Sequence, residues 1–236
     1  MAKKVLLFIV EGENDEFALA LSLENLQKQH DSNKQIRFGI TRGDITADKN
    51  RATPANEIAK CVREYCTKYK LNKEDICKIV LLVDMDGAYI PGDAVKQGGE
   101  ELTKTYYGST DILHKNPAAL RKTHERKRER LDSLINQNEI AGKIPFNVFF
   151  VSCSFDHVIC GDANVDGHTK IKITDEFNDL YHKNAEGLIS FFCNPEIVID
   201  NDYMQSWNKI RQGLNSLGRY SNMNVFFDMH YPSSVS

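Results

Sequence analysis

KKVLLFIVEGENDE, residues 3–16, places an apolar run directly before a glycine turn that carries Glu11, Asp15 and Glu16. Val5–Val10 has the unbroken apolar character of a parallel strand buried on both faces, and residues 14–26 continue with helical spacing. The acids therefore fall at the carboxyl end of a strand. That edge is where open α/β sheets bind their ligands, because the scaffold below it is rigid and the loops above it are free to carry chemistry. The alternative for Asp15 and Glu16 is a helix N-terminus, where the macrodipole favours acids.

The same pattern recurs at KIVLLVDMD, residues 78–86, where an apolar strand ends in Asp84 and Asp86. In an extended segment, residues i and i+2 share a face. Two hard carboxylate ligands would then stand side by side with Met85 turned away, an arrangement suited to Mg²⁺. A bare Asp-x-Asp-Gly also makes an ordinary tight turn. The five apolar residues Ile79–Val83 favour the functional reading, since a carboxylate cluster at a sheet edge repels itself unless a cation neutralises it.

With Glu11 after one strand and Asp84-x-Asp86 after another, the chain resembles the Toprim family, the metal-binding domain of topoisomerases, primases and OLD-type nucleases. The resemblance covers roughly residues 3–160. It implies that Glu11, followed by Gly12, is a general acid or base or a further metal ligand, and that Asp84 and Asp86 hold Mg²⁺ beside a scissile phosphate. Asp15 falls where many nuclease members have a second acid. The stretch FNVFFVSCSFDHVICG, residues 146–161, looks like the S-x-x-F-E segment of RloB-like and OLD-like members, with Asp156 in place of the glutamate. The implied metal set is Glu11, Asp15, Asp84, Asp86 and Asp156, with one or two Mg²⁺ ions as cofactor and Mn²⁺ as a substitute.

The alternation of predicted elements, strand 4–10, helix 14–29, strand 35–40, helix 54–70, strand 78–83, helix 117–137 and strand 146–151, points to an α/β fold with a central parallel sheet and helices on both faces. With the resemblance, the expected fold is Toprim, that is Rossmann-like. Residues 1–160 are expected as the catalytic domain, with a glycine- and tyrosine-rich loop inserted at about 87–116 that covers the site or stacks on bases, or touches neither. Residues 161–236 read as a mainly helical extension. There, 170–192 has the spacing of one amphipathic helix with Ile173, Phe177, Leu180, Tyr181, Leu188 and Phe192 facing a core. Trp207, Ile210, Leu214 and Leu217 form a last helical stripe; these stripes are packing signals and admit a homodimer. GDANVDG, residues 161–167, opens like a calcium loop but has Ile173 where the closing glutamate is needed, so a turn is expected.

The chain has 236 residues, 41% apolar and 27% charged, with a net charge of −3. These values describe an ordinary globule and not a protein that coats nucleic acid indiscriminately. One local patch differs. RKTHERKRER, residues 121–130, carries six Lys or Arg against two Glu within the predicted helix, which starts after Asn116 as cap with Pro117 in its first turn. Arg121, Lys122, Arg126, Lys127, Arg128 and Arg130 are candidate phosphate contacts, because an enzyme acting on a polyanion must hold it near its metals; Lys3, Lys4, Arg37 and Arg42 extend that surface. The other reading is a solvated face. Leu120, His124, Lys127, Leu131 and Leu134 trace one stripe of that helix.

No apolar run approaches the roughly 20 residues that cross a bilayer, and the six cysteines include no C-x-x-C pair. A cytoplasmic protein without membrane attachment is expected. The sequence has no topoisomerase-sized breakage domain with its tyrosine, no zinc module and no P-loop, which argues against strand passage and priming. The family then implies a short Mg²⁺-dependent endonuclease acting on RNA or DNA, similar in plan to prokaryotic phage-defence effectors that accompany an ATPase sensor. Two other readings stay open: a non-catalytic Toprim scaffold that binds nucleic acid or an ATPase partner, and a phosphotransfer receiver domain, whose acid pair would normally follow the first strand.

Overall fold

The computed structural model describes residues 4–31, 35–47 and 52–232. Its principal sheet has the order β2-β1-β3-β8-β7, built from β1 (Lys4–Val10), β2 (Ile36–Arg42), β3 (Ile76–Asp84), β7 (Glu139–Ile140) and β8 (Ile144–Val151). Strand β1 pairs in parallel with both neighbours, Leu6 lying opposite Phe38 on one side and Lys78 on the other. Flanked on both edges, Val5 to Val10 are all buried, which is why the run shows no polar alternation. The fold is thus α/β, with helices on both faces of the sheet.

The sheet is mixed, not wholly parallel as the alternation suggested. Strand β7 returns antiparallel onto β8 through Ala141, Gly142 and Lys143, three consecutive residues at φ of 50°, 82° and 78°. That left-handed run reverses the chain in the space of a tight turn.

Helix α1 (Glu13–His30) follows β1, and its first turn is closed by Asp15, whose carboxylate accepts the Gly12 N–H at 2.9 Å. Helix α2 (Pro54–Tyr69) starts with Pro54 behind Thr53, whose hydroxyl accepts the Asn56 N–H. Helix α3 (Pro117–Ile135) is capped as its sequence indicates, the Asn116 side chain accepting the Ala119 N–H at 3.0 Å.

The segment expected as a loop over 87–116 contains a second small sheet, β4 (Val95–Gln97), β5 (Tyr106–Tyr107) and β6 (Ile112–His114), in the order β4-β6-β5. Its apolar side joins Ile90, Val95, Ile112, Cys153 and Leu217 in one cluster. The single helix expected over 170–192 is two, α5 (Gly167–Tyr181) and α6 (Ala185–Phe192), after the short α4 (Phe155–Cys160). Asn184 causes the break by accepting the Gly187 N–H, a cap that starts a new helix. Leu180, placed on the apolar stripe by spacing, is 66% exposed. The final stripe also divides. Trp207 and Ile210 lie in α7 (Tyr203–Ile210), Leu214 and Leu217 in the turn and 3₁₀ segment beyond it, and α8 (Met223–His230) comes last.

The chain divides into two compact units that interleave in sequence. Unit 1 comprises residues 1–83, 130–149 and 174–188, and unit 2 comprises 84–129, 150–173 and 189–236. None of the five boundaries falls at residue 160, the expected end of the first domain. Unit 1 holds β1, β2 and most of the sheet. In unit 2, Asn222 is a buried clamp: its Oδ1 accepts the Phe150 N–H at 2.8 Å and its Nδ2 donates to the Ser206 hydroxyl at 3.1 Å. Trp207 packs edge-on against Phe150 beside it, ring centroids 4.8 Å apart.

Candidate functional site

Asp84 closes β3, and beyond it the backbone leaves the extended conformation. Asp86 has φ of 48° and Gly87 φ of 67°, so the i and i+2 geometry of a strand does not hold at Asp86. Two backbone bonds fix the turn, Met85 N–H to Val151 O at 3.0 Å and Asp86 N–H to Cys153 O at 2.8 Å. Met85 is fully buried. A non-glycine residue in the left-handed region is strained, and such strain gathers at functional turns.

The carboxylates have partners. Asp84 Oδ1 accepts the Phe155 N–H at 3.0 Å, at the start of α4. Asp86 Oδ2 accepts from the ammonium of Lys127, a residue only 6% exposed that reaches it from α3. Asp156, in the first turn of α4, is 5% exposed and accepts from Lys170 through Oδ2. Its Oδ1 is buried without a hydrogen-bond partner, an arrangement that costs free energy until a proton or cation satisfies it. The field of this cluster reaches Cys153 and Tyr107: burial first, then Asp86, pushes the Cys153 thiol up to about 12, and the same two causes raise the Tyr107 phenol. Cys153 is therefore an inert buried thiol.

Glu11 and Asp15 belong to unit 1. Glu11 accepts a hydrogen bond from the buried Thr46 hydroxyl. Asp15 serves as the helix-capping acid described above, which is the structural reading of that position. In unit 1 the neighbouring Arg42 is engaged by Glu16 at 3.0 Å and Glu13 at 3.5 Å.

The basic helix does not present its six candidate cations as one array. Lys127 turns inward to Asp86. Arg121 Nη1 donates to Gly92 O and Val95 O, Arg128 Nη1 to Ala88 O, and Arg130 to Ile45 O and Ala52 O. Lys122 and Arg126 are exposed. Half of these six cations thus brace backbone carbonyls. Lys4 likewise donates to Glu74 O, and Lys3 lies outside the described residues. The spacing carried a signal for Lys127, because a lysine on an otherwise apolar helical stripe needs a buried counter-charge. Lys170 and Tyr107 had no such signal.

For Mg²⁺, the donor chemistry is suitable. Asp84, Asp86 and Asp156 offer hard carboxylate oxygens within unit 2, and Asp156 Oδ1 is a buried acceptor. Among the described residues, however, no three His, Cys, Asp or Glu side chains stand close enough to share one ion. Asp162 and Asp166 play only local parts: the first accepts the Asn164 N–H and the second caps α5 through His168 and Thr169. The GDANVDG stretch is accordingly a turn. No helix among the described residues is long and apolar enough to cross a membrane. Compared with protein-family models, curated proteins and solved structures, the chain matches none of them.

Proposed function

We propose that this chain is a Mg²⁺-dependent endonuclease that hydrolyses phosphodiester bonds in RNA or DNA, with Asp84 and Asp86 as the carboxylates that would hold the ion and water and substrate phosphate completing its shell. The observation that carries this reading is the Phe155 N–H bond to Asp84 Oδ1. It ties the segment after β8 to the end of β3, so the carboxyl ends of two strands contribute acids to one edge. Mg²⁺, when bound there, would polarise a phosphoryl oxygen and make a bound water more acidic.

The chain's own groups have separable parts. The αL turn at Asp86 and Gly87 directs the second aspartate, and the Phe155 N–H at the start of α4 fixes the orientation of Asp84. Lys127 and Lys170 place a positive charge directly on Asp86 and Asp156 respectively. A role as a phage-defence effector, with an ATPase partner, rests on the Toprim resemblance.

Lys127 on Asp86, together with the missing third ligand, favours a second reading, a non-catalytic scaffold in which the acids are structural. Labelled transfer RNA and plasmid incubated with the protein, with Mg²⁺ and then with chelator, distinguish them. The enzyme reading expects chelator-sensitive products, with cleavage by Asp84→Ala lower by orders of magnitude at unchanged fold. Equal cleavage by Asp84→Ala rejects the metal role, and absence of both product and Mg²⁺ binding in wild type selects the scaffold.

A further inference from the structure

Unit 2 contains a cavity of about 400 Å³ lined by Tyr89, Arg121, His124, Glu125, Arg128 and Arg211. Three guanidinium groups face one carboxylate there, so the lining is positive. Two of the guanidiniums are held by backbone: Arg121 Nη1 by Gly92 O at 3.1 Å and Val95 O at 2.9 Å, and Arg128 Nη1 by Ala88 O at 2.6 Å. The third, Arg211, lies over the Tyr89 ring, 5.7 Å from its centroid. His124 is 3% exposed, and its Nε2 has no hydrogen-bond partner. His124, a residue of the cavity wall, thus carries a buried polar atom without a hydrogen-bond partner among the described residues.

We propose that this cavity binds a phosphomonoester of mononucleotide size. Guanidinium groups match phosphate oxygens two at a time, and backbone anchoring fixes them before the ligand arrives. A phosphomonoester carries close to two negative charges at neutral pH, which balances three arginines less Glu125. The volume falls in the range of small-molecule sites, roughly 300–1,000 Å³. Tyr89 and Arg211 add a flat surface on which a base can stack. His124 stays neutral, because burial pulls its pKa down to about 4 against the opposing pull of Asp86, and a neutral imidazole donates or accepts at Nε2 according to its tautomer. This site does not depend on whether the chain cleaves phosphodiesters.

Calorimetric titration of the full chain, without Mg²⁺, with adenosine monophosphate, inorganic phosphate and a 5′-phosphorylated oligonucleotide beside its 5′-hydroxyl twin, tests the assignment. Saturable binding of the monophosphate, tighter than inorganic phosphate, is expected, with Arg211→Gln weaker by roughly tenfold or more and Glu125→Gln tighter. Glu125 is exposed, so that gain-of-affinity variant leaves the fold intact and guards against a misfolded Arg211→Gln. Preference for the 5′-phosphorylated over the 5′-hydroxyl strand supports the same chemistry and assigns the phosphate to nucleic-acid ends. No saturable binding of any phosphorylated probe at millimolar concentration, or equal affinity in all three proteins, overturns the proposal.

Discussion

Lys127 illustrates how one side chain changes the meaning of a helix. Its ammonium is almost entirely enclosed, whereas the Asp86 side chain it meets is 45% exposed. Removing the lysine leaves a carboxylate that water can still reach, so Lys127→Met should cost about 1–2 kcal/mol, less than breaking a fully buried pair; urea unfolding measures it. If Asp86 is a metal ligand, Mg²⁺ should raise the melting temperature of Lys127→Met more than that of wild type. His124 gives a pH dependence of definite sign. Its folded pKa is about 4 against an ordinary 6.5, so between those values the unfolded chain takes up a proton that the folded one refuses. Its contribution is complete above about pH 6.5 and is lost as pH falls toward 4, by at most roughly 3 kcal/mol. Unfolding free energy followed across that window should slope more steeply in wild type than in His124→Phe.

At the scale of elements, the turn that follows β3 is set by Gly87. Its φ of 67° suits glycine, and an added Cβ would stand 2.6 Å from Ile112 Cδ1 and 3.0 Å from Leu217 Cδ2. Gly87→Ala should therefore destabilise by about 1–3 kcal/mol through strain and overpacking together, measurable by thermal or urea unfolding, and should disturb Asp86 more than Asp84. Long elements with strong periodicity were legible: β1, β3, β8 and the first three helices lie within a few residues of where the apolar spacing and the caps at Thr53 and Asn116 put them. What escaped the spacing is short. Strands β4, β5 and β6 have three, two and three residues, too few for a period of two to stand out, and β7 is equally brief. The split of α5 from α6 turns on the Asn184 side chain, and a hydrogen bond of that kind leaves no trace in an apolar stripe. The carboxylates at strand ends were legible for the same reason as the strands, whereas the pairing was not, even for Lys127 with its signal of a buried counter-charge: Lys127, Lys170 and Thr46 are 41, 14 and 35 residues away in sequence from the acids they hold.

The whole molecule resists division by cutting. Each compact unit draws buried residues from both sides of residue 160, unit 1 taking Phe177 and Leu188 and unit 2 taking Phe192, Trp207 and Phe226. A fragment ending at residue 160 deletes those side chains from both cores, and losses of a few kcal/mol for each large apolar group exceed the stability of an ordinary domain. Residues 1–160 alone should show no cooperative thermal transition by calorimetry, where the full chain shows one. Composition and periodicity are local quantities, so the sequential split they suggest could not reveal a chain that passes between units five times.

Trp207 is the chain's one tryptophan, with no solvent exposure and an indole nitrogen that finds no acceptor. Its emission should be strongly blue-shifted in the native protein. Because the chromophore belongs to unit 2, a red shift on denaturation reads the loss of that unit's interior in particular, an intrinsic optical label that needs no dye.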